Sequence, residues 1–173
     1  MTHQHTQAAD GPEPHLILPV PEGLHREALC LWWQSFGPPG IRPGSRSIRP
    51  ENALVAIGRD GVLAGVMGLR DSRGGFLAKA PACAILYRAG PATEDLIVDG
   101  IVVSDRRRGI GQALLSEGVR RARANHHPGL RAEVQARNHA ARAFYASNGF
   151  HEVGRGLFGW PWSGRVLILR RAV

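Results

Sequence analysis

The stretch Ile101 to Leu115, IVVSDRRRGIGQALL, decides how the chain is read. A β-branched run, Ile101-Val102-Val103, leads into Arg106, Arg107 and Arg108, turns at Gly109 and Gly111, and opens into an apolar-periodic helix. A strand, a glycine turn and a helix N-terminus in that order predict an anion site. The first amides of a helix have no intrahelical partner, and the helix dipole places partial positive charge where they point. Glycine lets the backbone approach a phosphate closely, and guanidinium forks match phosphate oxygens.

Working outward, the turn contains no G-x-x-x-x-G-K-[ST]. The third glycine of a dinucleotide fingerprint is replaced by Leu114, although Glu133 stands about 20 residues on, where a ribose-binding acid is expected. Too little chain follows to complete a doubly wound domain. A third pattern, [QR]-x-x-G-x-[GA], is met by Arg106, Gly109 and Gly111, and it resembles the acyl-coenzyme A loop of GNAT-type N-acetyltransferases. About 30 residues further on, Asn138-His139-Ala140-Ala141-Arg142-Ala143-Phe144-Tyr145 followed by Asn148-Gly149-Phe150 matches the same family's N-x-x-A-x-x-F-Y-x-x-x-G-F. An amphipathic helix with a glycine cap would explain Phe144 and Gly149, but not both blocks at this spacing.

The resemblance implies an α/β (α+β) fold, with helices flanking a mixed central β-sheet whose two parallel strands splay apart. It implies acetyl-coenzyme A as co-substrate. Ile101, Val102 and Val103 would offer backbone groups to the pantetheine arm. The 106–113 turn (Arg106, Arg107, Arg108, Gly109, Ile110, Gly111, Gln112, Ala113) would hold the pyrophosphate, and Asn138, Arg142 and Tyr145 would complete the cofactor set. Tyr145 would protonate the departing thiolate, and an N–H near Val102 would stabilise the carbonyl oxygen. Asp99 is the expected base if Val103 is the last valine of the strand, and Asp95 if Ile101 takes that place.

The remaining chain supports one domain. Residues 1–14 are polar and read as a disordered tail, and 15–173 as a single domain of ordinary composition, 43% hydrophobic and 21% charged. Leu16 to Val20 predicts a strand and Glu22 to Phe36 a helix with Leu24, Ala28, Leu31 and Ser35 at helical spacing. Asn52 to Gly58 and Val62 to Leu69 form a hairpin across Asp60-Gly61. Phe76 to Tyr87 reads as helix or sheet extension. Leu96 to Val103 is an inner strand in which Gly100 suggests a bulge or a close backbone approach. The helix after the turn should bury Leu114, Leu115, Gly118, Val119 and Ala122, with His126 and His127 solvated at its end. Leu130 to Gln135 is a parallel strand, Asn138 caps the next helix, and Glu152 to Leu157 with Arg165 to Leu169 close the sheet.

Three function classes fit these residues: an acetyltransferase acting on a small-molecule or peptide amine, a non-catalytic acyl-coenzyme A sensor, and a nucleic-acid binder. The net charge of +8 comes almost wholly from arginine, with Lys79 the only lysine, and outside 106–108 the arginines are scattered. That pattern argues against nucleic acid. No run approaches the ~20 apolar residues of a membrane span, and no leader is expected. Cys30 and Cys83 read as small hydrophobes in a reducing cytoplasm, and no metal site is expected. The loop Phe158 to Trp162 is rich in aromatics, so Trp160 and Trp162 are the expected acceptor-binding residues, with Trp32 and Trp33 opposite. The same loop leaves a homodimer contact open.

Overall fold

The computed structural model describes residues 14–44, 46–80, 82–104 and 109–173. The expected tail therefore falls almost entirely outside the described residues, as do Arg106, Arg107 and Arg108. The elements in chain order are β1 (His15–Ile17), α1 (His25–Phe36), β2 (Ala53–Ile57), β3 (Leu63–Arg70), β4 (Leu96–Val103), α2 (Ile110–Ala124), β5 (Gly129–Gln135), α3 (His139–Ser147), β6 (His151–Gly156) and β7 (Val166–Ala172). The strands form one seven-stranded sheet in the order β1-β2-β3-β4-β5-β7-β6. Neighbours are antiparallel except β4 and β5, which α2 joins as a parallel crossover. No helix among the described residues is long and apolar enough to cross a membrane.

Successive strand residues point to opposite faces, and both faces are covered here. On one side Leu54, Met67, Val98 and Leu130 pack with Leu114, Leu115, Val119 and Ala122 of α2 and with Tyr145 of α3. On the other, Val55, Val66 and Phe76 pack with Ala28, Leu29, Trp32 and Trp33 of α1. Two-sided burial is why β2 and β3 read as nearly unbroken apolar runs. The buried stripe of α2 is the expected one, joined by Ile110 and Gly118. Asn138 caps α3 through its Oδ1, which accepts from the Ala141 amide at 3.0 Å.

Several expectations need correction. β1 stops at Ile17, ahead of Pro19, which has no N–H to continue a ladder. The predicted first helix begins as a 3₁₀ turn, Glu22–Leu24, and α1 follows. Its inner face is Ala28, Leu29, Trp32 and Trp33, while Leu31 is half-buried and Ser35 exposed. The two indoles carry the largest apolar area on the helix and rotate it toward the sheet. Each also finds an acceptor, Trp32 Nε1 at the Asp99 carbonyl (2.9 Å) and Trp33 Nε1 at the Ile41 carbonyl (2.6 Å). Phe76 to Tyr87 is neither helix nor strand. Phe76 is sealed beneath Trp32, and a 3₁₀ turn occupies Ala82–Leu86. His127 is not simply solvated, because its Nδ1 lies 2.8 Å from the Glu94 carbonyl and its ring is half-buried. Both cysteines are free and half-buried rather than core residues.

Gly100 meets both readings made of it. The β3–β4 register steps from Met67↔Ile101 to Leu69↔Val98, so β4 carries one extra residue at Asp99-Gly100. Gly100 has φ +117°, and a Cβ there would overlap the Phe36 ring. Gly100→Ala should therefore lower stability by about 2 kcal/mol or more, from positive-φ strain and overlap together. Urea denaturation of the variant against the parent measures it.

Candidate functional site

Parallel pairing of β4 with β5 runs through Leu96↔Leu130, Ile97↔Arg131 and Val98↔Ala132 and then ends. Beyond it β4 stays bonded to β3, and β5 to β7. A cleft of about 1320 Å³ lies at this parting. Ser104 N donates to Ala64 O of the β3 side at 2.9 Å, and Val102 O lies over Gly65 of β3. By strand alternation, the backbone groups of Val102 point to β3 and those of Ile101 and Val103 point into the opening. The expectation that Val102 offers its backbone is corrected accordingly. Ile101 and Val103 line the cleft.

The start of α2 opens into the same cleft. Gly109 adopts the left-handed conformation, φ +72°, and among the described residues no side chain caps the helix. Ala113 N is already bonded to Gly109 O at 2.9 Å, so among the described residues the amides without a partner are those of Ile110, Gly111 and Gln112. From α3, Asn138, Phe144 and Tyr145 line the cleft. Arg142 does not join them: it is exposed and its guanidinium reaches Ala136 O at 3.2 Å. A Cβ on Gly111 would sit 3.5 Å from the Phe144 ring, so the passage between α2 and α3 is narrow. Tyr145 is buried between Phe144 and Phe150, and among the described residues nothing hydrogen-bonds its hydroxyl. Burial pushes that phenol far above the ordinary tyrosine range.

The face toward α1 is charged. Asp99 and Glu133 are the first residues past the last β4–β5 pair. Arg70 Nε bonds Asp99 Oδ1 at 3.2 Å, and Phe76 N donates to Asp99 Oδ2 at 3.3 Å. Arg131 Nη2 bonds Glu133 Oε1 at 2.9 Å, and Arg70 Nη2 lies 3.9 Å from the same oxygen. Tyr87 reaches this cluster; burial first, then the Glu133 charge, push its phenol up to about 12. Trp32, Trp33, Trp160 and Trp162 all line the cleft. Trp160 and Trp162 stack parallel at 5.3 Å, and Tyr87 meets Trp160 edge-on. Asp95, the alternative base, is buried at the paired end of β4, held by Arg170 at 2.8 and 3.0 Å, and has no place in the cleft.

Arg70, Glu133 and Tyr87 were not foreseen as site residues. Glu133 drew notice only for a fold this chain does not have. Arg70 and Tyr87 carry no local signal, since their place depends on β3 lying beside β4 and on an irregular segment crossing β5.

The two phenols set a pH dependence. A group whose folded pKa is raised contributes stability that is whole below its unfolded value, about 10 for tyrosine, and lost as pH rises through the folded value. Tyr87 and Tyr145 are the only tyrosines and both shift upward. Denaturation midpoints should fall as pH rises past about 10, and Tyr145→Phe should make that fall shallower.

Comparison with known proteins places this geometry. The model of the acetyltransferase (GNAT) family matches residues 26–150, taking in both sequence blocks. No curated protein matches the chain. Among solved structures, a candidate phosphinothricin N-acetyltransferase is 18% identical over 92% of this chain and 98% of its own, with a TM-score of 0.63. Ard1 from Thermoplasma volcanium is 23% identical over 72% of each chain, TM-score 0.54. The NatC complex bound to Gag peptide and CoA is 17% identical over 72% of each, TM-score 0.53. At such identities the structures speak for the fold, and the family match speaks for the lineage. This chain belongs to the GNAT acetyltransferase family, whose co-substrate is acetyl-coenzyme A.

Proposed function

We propose that the protein transfers an acetyl group from acetyl-coenzyme A directly to a primary amine bound in the same cleft. One observation carries this reading: β4–β5 pairing stops at Val98 and Ala132 beside an uncapped helix start, so free strand edge and free amides face one opening. These residues fit the co-substrate. Ile101 and Val103 supply strand-like backbone partners for a pantetheine amide, and Asn138 borders the same passage. The amides of Ile110, Gly111 and Gln112 suit the pyrophosphate, and Arg106, Arg107 and Arg108, just before them in sequence, would add charge. When bound, the co-substrate supplies an activated acetyl thioester.

The chain's own residues then handle protons. The acceptor amine must lose one before attack, and Asp99 is the carboxylate at the opening, aligned by Arg70 and the Phe76 amide. The Ile101 N–H, facing the opening, suits the oxygen that gains charge as the N–C bond forms. Tyr145 Oη, which burial keeps protonated throughout neutral pH, would give its proton to the departing sulfur. Trp160 and Trp162 form the acceptor wall. No step needs a cysteine: Cys30 and Cys83 lie outside the cleft lining.

Gly111→Glu should abolish acetyl-coenzyme A binding in calorimetry while the fold persists, because a side chain and a negative charge would both enter the space before Phe144. Unchanged affinity in the folded variant would remove the phosphate reading. For the chemistry, initial-rate plots should intersect, as for a ternary complex, and not run parallel. Tyr145→Phe keeps the ring packing and should lower kcat by ~10²-fold with co-substrate affinity spared. Asp99→Asn should flatten the acidic limb of the pH–rate profile. A sensor without turnover would bind acetyl-coenzyme A and release no thiol with any amine.

A further inference from the structure

The charged face of the cleft carries a more specific message about the acceptor. Four groups meet there, Arg70 and Arg131 against Asp99 and Glu133, so the cluster is balanced in sign although the chain as a whole is strongly basic. Their hydrogen-bonding capacity is not used evenly. Asp99 has both oxygens engaged, by Arg70 Nε and the Phe76 amide. Arg131 is turned inward, with Nη1 on Pro91 O at 2.6 Å and Nη2 on Glu133, and it does not line the cleft. Glu133 and Arg70 do line it, their side chains 11% and 28% exposed. Among the described residues Glu133 Oε2 has no hydrogen-bond partner, and neither Nη of Arg70 makes a hydrogen bond. The opening therefore presents one carboxylate oxygen from β5 and one guanidinium edge from β3, reaching toward each other across β4.

We infer that the acceptor is a compact zwitterion: a primary amine that carries an anionic group a few bonds away, as a free amino acid does. This rests on the acetyl-transfer reading above and names its substrate class. The ammonium would be received at Glu133, next to Asp99 at the strand opening, and the anion at the free edge of Arg70. A monocation would satisfy Glu133 and leave Arg70 facing like charge in a half-buried site, and a polycation would do so more severely. The roof argues for a compact ligand. Arg88 and Gly159 exchange backbone hydrogen bonds of 2.9 and 2.7 Å, tying together the two segments that bring Tyr87 and Trp160 to the cleft. An extended polypeptide would have to pass beneath that bridge, whereas an amino-acid side chain can end against the Tyr87–Trp160 wall.

The test uses the full chain with acetyl-coenzyme A and reads thiol release. The acceptors are the twenty free amino acids, the matched decarboxylated amines (2-phenylethylamine against phenylalanine, for instance), and tripeptides. At least one amino acid should exceed its matched amine in kcat/KM by at least about tenfold, the scale of a charge-assisted bidentate contact. Arg70→Gln should collapse that preference toward unity, because looser alignment of Asp99 slows both acceptors alike while only the amino acid loses its anion contact; acetyl-coenzyme A affinity and the thermal midpoint are the controls for folding, and Arg70→Lys should keep part of the preference. Glu133→Gln should slow amino acid and amine alike. Amines or tripeptides turned over as well as the amino acids would overturn the inference and leave acetyl transfer standing. Turnover of no acceptor, with acetyl-coenzyme A bound, would overturn both the inference and the enzyme reading. Failure to bind acetyl-coenzyme A would remove the site reading beneath them.

Discussion

The candidate site depends on where two parallel strands stop bonding to each other. After Val98 and Ala132, β4 keeps β3 as its partner and β5 keeps β7, and the edges between them lose their ladder. Backbone N–H and C=O groups inside a protein carry a large desolvation cost unless they are paired. Edges left open in the middle of a seven-stranded sheet must therefore meet water or a ligand that bonds like a strand. The opening is held by local packing: the extra residue at Asp99-Gly100 bends β4, Phe36 fills the space a side chain at Gly100 would need, and Trp32 Nε1 takes the Asp99 carbonyl.

The two faces of the parting differ in kind, and that difference organises the site. Toward α2 and α3 lie free amides, Asn138 and a phenol buried among aromatic rings. Toward α1 lie two carboxylates and two guanidinium groups with Tyr87 among them. Ion pairs as sheltered as Arg131–Glu133 are poor sources of stability, since desolvation offsets most of their attraction. Glu133 and Arg70 line the cleft where β4 and β5 part, which is the position the proposed acceptor would occupy.

Much of this was legible from local sequence. The stripe of α2, the bounds of β4, the bulge at Gly100, the Asn138 cap and the Asp60-Gly61 turn follow from periodicities and backbone preferences that act within a few residues. The tryptophan face of α1 was misread because Leu24, Leu31 and Ser35 share a helical spacing that ignores side-chain area, whereas burial rewards the larger indoles. The irregular run 71–95 resisted reading because its one deeply buried aromatic, Phe76, is sealed by Trp32 from a helix some 40 residues earlier. Asp95 and Asp99 looked alike in sequence; Arg170 claims the first and the cleft the second.

The amino-acid sequence by itself determined the glycines at the start of α2, the two blocks of the acetyltransferase family and the helix that joins two parallel strands, because each is written in contiguous residues. Only the tertiary structure decided which backbone groups of β4 face the opening, that Arg142 lies outside it, and that Arg70, Asp99, Glu133 and Tyr87 stand together. Arg70 and Asp99 are 29 residues apart in the chain and meet only because β3 lies beside β4. Strand order and register arise from burying both faces of the whole sheet at once, and no short stretch of sequence contains that sum.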